Sequence, residues 1–190
     1  MSVSYKLETF EKDMPVCDFI EKYVRPEEFI EYCKACGNYG QVWSCPPYDF
    51  DVMDYWHEYE TIKCVAYRIE YGEQRELSDY SEIAEVKEMM QNRLRSLEKE
   101  YPGSVMLSAG SCSLCAESAG AGLVKGREPD WCTRIKNEPC ARPDCMRYSI
   151  ESIGGDVTAP LKDLFGLEIK WAEGNLMPEY HILLGGLLMK

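Results

Sequence analysis

Cysteines are the residues of this sequence whose type and spacing point most directly to chemistry. The chain contains ten of them, and most fall into two clusters. The first cluster is Cys33, Cys36 and Cys45, and the second is Cys112, Cys115, Cys132 and Cys140. Clustered thiolates are ligands for soft metals, whereas cysteines that only fill a core would be scattered. The two stretches are therefore predicted to be metal-binding loops.

The second cluster offers a complete ligand set, because four thiolates satisfy either tetrahedral zinc or a [4Fe–4S] cube. Its spacing is Cys-x2-Cys-x16-Cys-x7-Cys, so one short step is followed by a loose pair. Structural zinc sites usually show two short steps, and the asymmetry favours iron–sulfur. We therefore assign Cys112, Cys115, Cys132 and Cys140 to a [4Fe–4S] cluster, with zinc as the alternative.

Positive charge around the second cluster is consistent with an anionic cofactor. The stretch from Leu123 to Tyr148 has six basic and four acidic residues, so it is net +2 in a chain of net charge −12. A cubane with four thiolates is an anion that nearby cations stabilise. Two alternatives stay open: the cations only solvate a long loop, or they receive an anionic substrate or partner.

The first cluster supplies three thiolates, so a second metal site there lacks a visible fourth ligand. Cys45 is followed directly by proline, which is a recurrent feature of ferredoxin-type cluster ligands, and Trp43 could help to exclude water. Three alternatives remain for the missing ligand. They are a distant side chain such as Cys145 or His57, a coordination position open to substrate or solvent, and sharing with Cys112 and Cys115 as a zinc ribbon.

Other reactive patterns in the sequence are weaker. Cys64 lies in a strand pattern and Cys17 in an apolar helical stretch, so we expect both to be small buried residues. A thioredoxin-type redox pair at Cys33 and Cys36 is disfavoured, since no strand precedes it. Gly120-Ala121-Gly122 lacks the setting of a phosphate-binding loop.

The elements that must position the cysteines follow from hydrophobic periodicity. Residues Thr61–Tyr71 alternate as a strand, and an amphipathic helix is predicted from about 79 to 101. Its apolar stripe runs from Ile83 to Tyr101, and Asp79 with Glu82 resembles a capping box. A second strand over Ser104–Ala109 completes a βαβ unit. The second cysteine loop, residues 110–145, begins directly after it.

The remaining segments complete a small α+β fold. Residues 15–32, Arg147–Ile153 and Pro160–Phe165 are predicted as short helices, and Leu167–Trp171 and Tyr180–Leu184 as closing strands. We interpret 1–190 as a single domain, with a helical and cysteine-loop appendage over 1–60 and an α+β core over 61–190. The predicted fold class is a small βαβ-containing α+β sandwich, for which a ferredoxin-like arrangement is one option.

Composition narrows the function classes and the location. A net charge of −12 argues against nucleic acid or an anionic membrane as the main partner. The longest apolar run has eight residues, far fewer than the roughly 20 that span a bilayer. The N-terminus lacks the apolar region of a signal peptide, so we expect a cytoplasmic protein. In that reducing compartment, metal binding is a better interpretation of clustered cysteines than disulfides.

The two cysteine segments together resemble a known family, the predicted metal-binding proteins, which are small cysteine-rich proteins of undefined function found mainly in anaerobic bacteria and archaea. The first segment matches the family pattern at Cys33, Cys36, Tyr39, Gly40, Trp43, Cys45, Pro46 and Pro47. The second segment matches at Gly110, Cys112, Cys115, Pro139, Cys140, Ser149 and Glu151. The resemblance runs from about residue 30 to 160. It implies metal binding, with iron–sulfur favoured, and supplies no reaction.

One departure from the family pattern concerns the third cysteine of the second segment. That cysteine would fall at Ser118, whereas Cys132 lies at the expected distance before Cys140. An insertion of about fourteen residues, SAGAGLVKGREPDW, accounts for the displacement. The resemblance therefore implies that Cys132 keeps the ligand role.

These observations predict a cytoplasmic iron–sulfur protein that acts in electron transfer or redox chemistry. One [4Fe–4S] cluster is expected at the second cluster of cysteines, and a second metal site at the first. The acidic surface would select a redox partner protein by electrostatic complementarity. The alternative is a zinc-stapled structural or binding module without redox activity.

Overall fold

A four-stranded sheet forms the centre of the molecule in the computed structural model, which describes residues 5–72, 81–115, 132–172 and 176–190. Its strands are β1 (Tyr5–Pro15), β2 (Thr61–Tyr71), β3 (Val105–Leu107) and β4 (Tyr180–Met189). Their order across the sheet is β1-β2-β4-β3, and all neighbouring strands are antiparallel. The α+β class predicted from the sequence is confirmed.

Helices of the described residues cover both faces of this sheet. They are α1 (Val16–Tyr23), α2 (Pro26–Lys34), α3 (Val52–His57), α4 (Ser81–Glu100) and α5 (Thr158–Phe165). Two short 3-10 helices, Thr133–Lys136 and Glu151–Ile153, lie in the segment between β3 and α5. No helix in this part of the chain is both long and apolar enough to cross a membrane.

The predicted βαβ unit is present in a split form. Helix α4 connects β2 to β3, and β4 lies between these two strands. Because β2 and β3 each pair antiparallel with β4, they run parallel to one another. The segment after β3, which carries the second cysteine loop, therefore leaves the sheet at the end of an edge strand.

The alternation predicted for β2 separates two hydrophobic cores. Val65 and Ile69 pack on the stripe of α4, whereas Ala66 packs on the other face with buried side chains such as Phe19 and Trp56. The buried apolar residues of α4 are Val86, Met90, Leu94 and Leu97. Tyr101, which we expected at the end of this stripe, is instead exposed because it follows the last residue of the helix. Asp79 of the predicted capping box lies outside the described residues.

The structure confirms the prediction of a buried cysteine for one of the two cysteines expected in the core and contradicts it for the other. Cys64 is fully buried on β2, as predicted from its strand pattern. The prediction for Cys17 is wrong, because its thiol is exposed on the outer face of α1. Helix α1 buries Val16, Phe19 and Tyr23 instead, and position 17 falls between those inward positions.

Four of the predicted segments need correction. Leu167–Trp171 is not a strand, because Leu167 donates its backbone N–H to Leu161 as part of the termination of α5. The segment Arg147–Ile153 is helical only over its last three residues, and the strand at Ser104–Ala109 is shortened at both ends. Strand β4 continues to Met189, five residues beyond the predicted end.

Strand β1 is a feature that we did not identify in the sequence. It pairs with β2 over its full length, from Tyr5 opposite Tyr71 to Pro15 opposite Thr61. As an edge strand it carries charged residues and is incompletely buried, and charged residues are how natural sheets protect an edge from pairing with other chains. The same charges weaken the alternation of apolar and polar residues by which a strand is predicted. Beyond the edge strand, α1 and α3 contribute to the same core as β2.

The close packing of α4 against the sheet depends on Gly185 of β4. A Cβ atom at this position would lie 2.8 Å from the carbonyl oxygen of Leu107 and 2.9 Å from Cδ1 of Leu94. At the neighbouring Gly186, the nearest atom would be the carbonyl oxygen of Lys63 at 3.2 Å. A side chain therefore fits less readily at position 185 than at position 186, because its Cβ atom would lie closer to a backbone atom of the adjacent strand.

We expect Gly185→Ala to lower the free energy of unfolding by about 1–3 kcal/mol, the usual cost of overpacking a core. Gly186→Ala is the matched control and should cost less, because its contacts are less severe. Denaturant unfolding of both variants measures the difference. An equal loss in the two variants would contradict this account of the helix–sheet contact.

Candidate metal centre

The first site consists of Cys33, Cys36 and Cys45, and local turns gather its thiols. Cys33 lies in the last turn of α2, and the N–H of Cys36 donates to the carbonyl of Cys33 at 3.0 Å. Gly40 adopts a φ of 68° and donates its N–H to the carbonyl of Pro46 at 2.8 Å. This contact closes the loop and returns Cys45 toward the helix that carries Cys33.

The second site consists of Cys112, Cys115, Cys132 and Cys140. The first two follow β3, whereas Cys132 directly precedes the 3-10 helix Thr133–Lys136. The hydroxyl of Thr133 donates to the carbonyl of Pro139 at 2.8 Å and so fixes the approach to Cys140. The site is thus assembled by the end of a strand and by one tightened turn.

All four cysteines of the second site line a single pocket. Apolar side chains form much of its wall, including Val42 and Trp43 of the first loop, and Arg142 stands at its edge. The structure therefore brings together the four residues that the sequence analysis grouped by spacing. Their role as ligands stays a prediction.

The two sites meet in one small hydrophobic cluster. Cys45 of the first site and Cys132 of the second are buried in one small cluster with Val42, and Cys112 packs against it. Cys33 and Cys36 lie close enough to Cys45 for their charges to raise the pKa of its thiol. The seven cysteines thus form one continuous region with two parts.

Hydrogen bonds between the two loops hold this arrangement. The buried hydroxyl of Ser44 accepts the N–H of Cys112 at 2.9 Å, and the Asn38 amide donates to the hydroxyl of Ser111 at 3.1 Å. The indole N–H of Trp43 donates to the carbonyl of Glu138 at 3.2 Å. These bonds join segments that are separated by roughly seventy to ninety-five residues of sequence.

Arg134 is the most extensively bonded side chain between the loops. Its guanidinium donates to the carbonyl oxygens of Val42, Cys45 and Pro47 and lies 5.0 Å from the centre of the Trp43 ring. Carbonyls in a loop without regular structure need such a donor, and the planar guanidinium can serve several at once. Arg134 therefore fixes the backbone on both sides of Cys45.

Burial shifts the thiols of both sites toward the protonated form. Desolvation raises the pKa of Cys45 to about 12, and it also raises the pKa of Cys33, Cys112 and Cys115. Nearby cations oppose this effect, namely Lys87 at Cys112 and Arg142 at Cys115. Because thiolate is the ligating form, a bound metal would offset the cost of burying the thiolate charges and would displace the thiol protons.

The thiols surround the pocket rather than gathering at one point. Among residues 5–72, 81–115, 132–172 and 176–190, no three His, Cys, Asp or Glu side chains are arranged to hold a single metal ion. His57 and Cys145, which we considered as distant ligands of the first site, are both exposed and do not line the cavity that Cys33 lines. Ser118, the inserted segment, and the cations Lys125 and Arg127 lie outside the described residues.

Sequence analysis did not identify the residues that support the two sites. No motif or spacing in the sequence marked Ser44 or Lys87, and Arg134 was considered only as one of the six basic residues between Leu123 and Tyr148. Lys87 of α4 donates to the carbonyl of Ser111 at 2.8 Å, and Arg147 forms an ion pair with Glu98 of α4 at 2.7 Å. Their partners are distant in sequence, so spacing along the chain could not reveal them.

Fold and site together define a cysteine-rich α+β protein with a thiol-lined pocket typical of metalloproteins. The chain belongs to the family described as predicted metal-binding protein (DUF2284), whose model matches residues 20–188. This match confirms the resemblance inferred from the cysteine segments and establishes the protein as a predicted metal-binding protein. Comparison with curated proteins and with solved structures gave no match.

We expect Arg134→Lys to loosen the loop around Cys45, because an ammonium cannot replace the fork of guanidinium donors. The loss of about 1.5–3 kcal/mol of charged hydrogen bonding should let the loop open more often. The rate of Cys45 alkylation should therefore rise about tenfold or more in the reduced, metal-free protein. Peptide mass spectrometry of timed alkylation measures this rate.

Arg95→Lys is the matched control for Arg134→Lys. Arg95 donates to one exposed carbonyl, that of Cys145, at 3.0 Å, and its replacement should leave Cys45 protected. Unchanged alkylation of Cys45 in Arg134→Lys would show that the guanidinium does not hold this loop.

Proposed function

We propose that this predicted metal-binding protein is an iron–sulfur protein that acts in electron transfer or redox chemistry. A [4Fe–4S] cluster would be held by Cys112, Cys115, Cys132 and Cys140, and a second metal centre by the first site. Such clusters exchange single electrons with a partner at potentials that the surrounding protein tunes. A cytoplasmic location and an acidic surface that selects a redox partner are parts of the same proposal.

The observation that carries the proposal is the pocket that all four second-site cysteines share. Among the residues that the structure describes, no histidine or carboxylate lines this pocket, and soft thiol donors suit zinc or iron–sulfur rather than hard cations such as magnesium or calcium. The residues that are present therefore fit the group that the sequence predicts.

The distribution of the thiols favours a cluster over a single zinc ion. Tetrahedral zinc with bonds of about 2.3 Å requires its four sulfur ligands to converge to about 3.8 Å from one another. In a cube each cysteine binds a different iron, so the thiolates stand further apart. Four cysteines placed around one pocket match the second requirement better.

The surroundings of the pocket support a redox role. Cys115 and Cys140 are partly exposed, whereas Cys132 is buried, so a cluster would lie near the surface with one side shielded. Arg142 lines the pocket, and Lys87 lies near Cys112. Positive charge of this kind stabilises an additional electron and so raises the reduction potential of a cluster.

Purification in the absence of oxygen tests the proposed cofactor. We expect a brown protein with absorption near 400 nm, as is general for [4Fe–4S] clusters, and iron and sulfide in equal amounts. Metal analysis and a reduction titration measure content and redox activity. A colourless protein with stoichiometric zinc and no sulfide would identify the zinc-stapled module instead.

The ligand assignment is tested by a matched pair of buried cysteines. Cys132→Ser should lose at least about half of the iron, because one thiolate of a complete set is removed. Cys64→Ser alters a cysteine that is buried in the core, away from the second site, and should keep the iron content of the wild type. An equal loss in both variants would refute the assignment.

A further inference from the structure

The first site lacks a fourth thiol, and a buried carboxylate lies beside it. Glu151 begins the 3-10 helix Glu151–Ile153 and lines the same cavity as Cys33, Tyr39 and Pro46. The cavity therefore contains both a first-site thiol and an oxygen donor.

Glu151 is unusual because one of its carboxylate oxygens has no partner. Oε2 has less than 1 Å² of exposed surface and makes no hydrogen bond, and Arg68 Nε is the other such buried atom among the described residues. Removing a carboxylate oxygen from water without a partner costs several kcal/mol, roughly 2–7 for a polar group, so natural proteins rarely leave one unused. A cation bound at this position would satisfy it.

The backbone holds Glu151 firmly against the helix that carries Cys33. A Cβ atom at Gly154, which has a φ of 81°, would lie 2.7 Å from Cα of Pro26 at the start of α2. The N–H of Arg25 donates to the carbonyl of Gly154 at 2.8 Å. These contacts pack the 3-10 helix and α2 together, so the position of Glu151 relative to the first site is determined by the fold.

On its other side Glu151 is supported by two buried serines. Ser149 and Ser152 exchange hydrogen bonds, in which the N–H of Ser152 donates to the Ser149 hydroxyl at 3.2 Å and the N–H of Ser149 to the Ser152 hydroxyl at 3.0 Å. Ser149 also forms a bridge with Ser108 just beyond β3. The carboxylate is thus presented by a turn that the sheet positions.

We propose that Glu151 is the fourth ligand of the first site, which it completes as a centre with three thiolates and one carboxylate. The inference rests on the proposed function, because it takes the bound group to be an iron–sulfur cluster, in which each ligand binds a different iron, rather than a single metal ion. Carboxylate is a harder ligand than thiolate and exchanges more readily from iron in such a centre. The iron at Glu151 is therefore the one at which a small anionic ligand would bind, whereas the second site, with four thiolates, carries electrons only.

The test compares iron and sulfide content in anaerobically purified full-length variants, and their electron paramagnetic resonance spectra after one-electron reduction with dithionite. Glu151→Gln keeps the shape of the side chain but removes its charge, and its iron content should fall to that of Cys36→Ser, which lacks a first-site thiol. The signal of the second-site cluster should persist in both variants. Cyanide added to the wild type should change only the first-site signal, and Glu151→Gln should not show that change.

Glu27→Gln is the matched control, since Glu27 lines the same cavity from the exposed first turn of α2. It should keep the iron content and both signals of the wild type. If Glu151→Gln retains full iron content with both signals unchanged, the ligand assignment is wrong although the protein is still an iron–sulfur protein. If Glu151→Gln loses both centres while Glu27→Gln keeps them, Glu151 has a structural role and the inference is overturned. A wild type without iron and sulfide would instead refute the proposed function itself.

Discussion

The region that contains the two cysteine sites depends on hydrogen bonds between two loops that have little regular structure of their own. Arg134 joins them by donating to the carbonyls of Val42, Cys45 and Pro47, and Ser44 joins them by accepting the N–H of Cys112. Buried loop backbone must find partners, since unpaired peptide groups away from water are costly. In this protein each loop supplies the partners of the other, so neither cysteine cluster is organised independently.

The sheet gives these joined loops a fixed base. Strand β3 leads into Cys112, and the long helix α4 contacts the second loop through Lys87 and the segment behind it through the ion pair of Glu98 with Arg147. Glu98 and Arg147 are mostly buried and share two bonds, at 2.7 and 3.0 Å, which is the bidentate geometry that fixes orientation best. Gly185 lets the same helix lie close to the sheet. A site supported in this way holds its cysteines at defined positions.

Electrostatics connects the architecture to metal binding. Burial raises the pKa of several thiols and leaves Glu151 Oε2 without a partner, so both parts of the region contain donors that a cation would stabilise. Membership of a family of predicted metal-binding proteins agrees with this property. Cys45 and Cys132 belong to one buried cluster, so the two proposed centres would lie next to each other, which would favour electron exchange between them.

The elements with strong periodicity and the grouping of the cysteines could be predicted from the amino-acid residues alone. Strand β2 was predictable because its apolar residues repeat every two positions, and helix α4 because its apolar residues repeat every three to four positions. The four second-site cysteines could be grouped because candidate ligands that share a loop are close along the chain. The sequence did not predict strand β1, the length of β4 or the exposure of Cys17, because strand pairing and tertiary packing decide these features. Only the tertiary structure placed Ser44, Arg134 and Glu151 at the cysteines. Their contacts join segments far apart along the chain, and no spacing pattern records which distant residues folding will bring together.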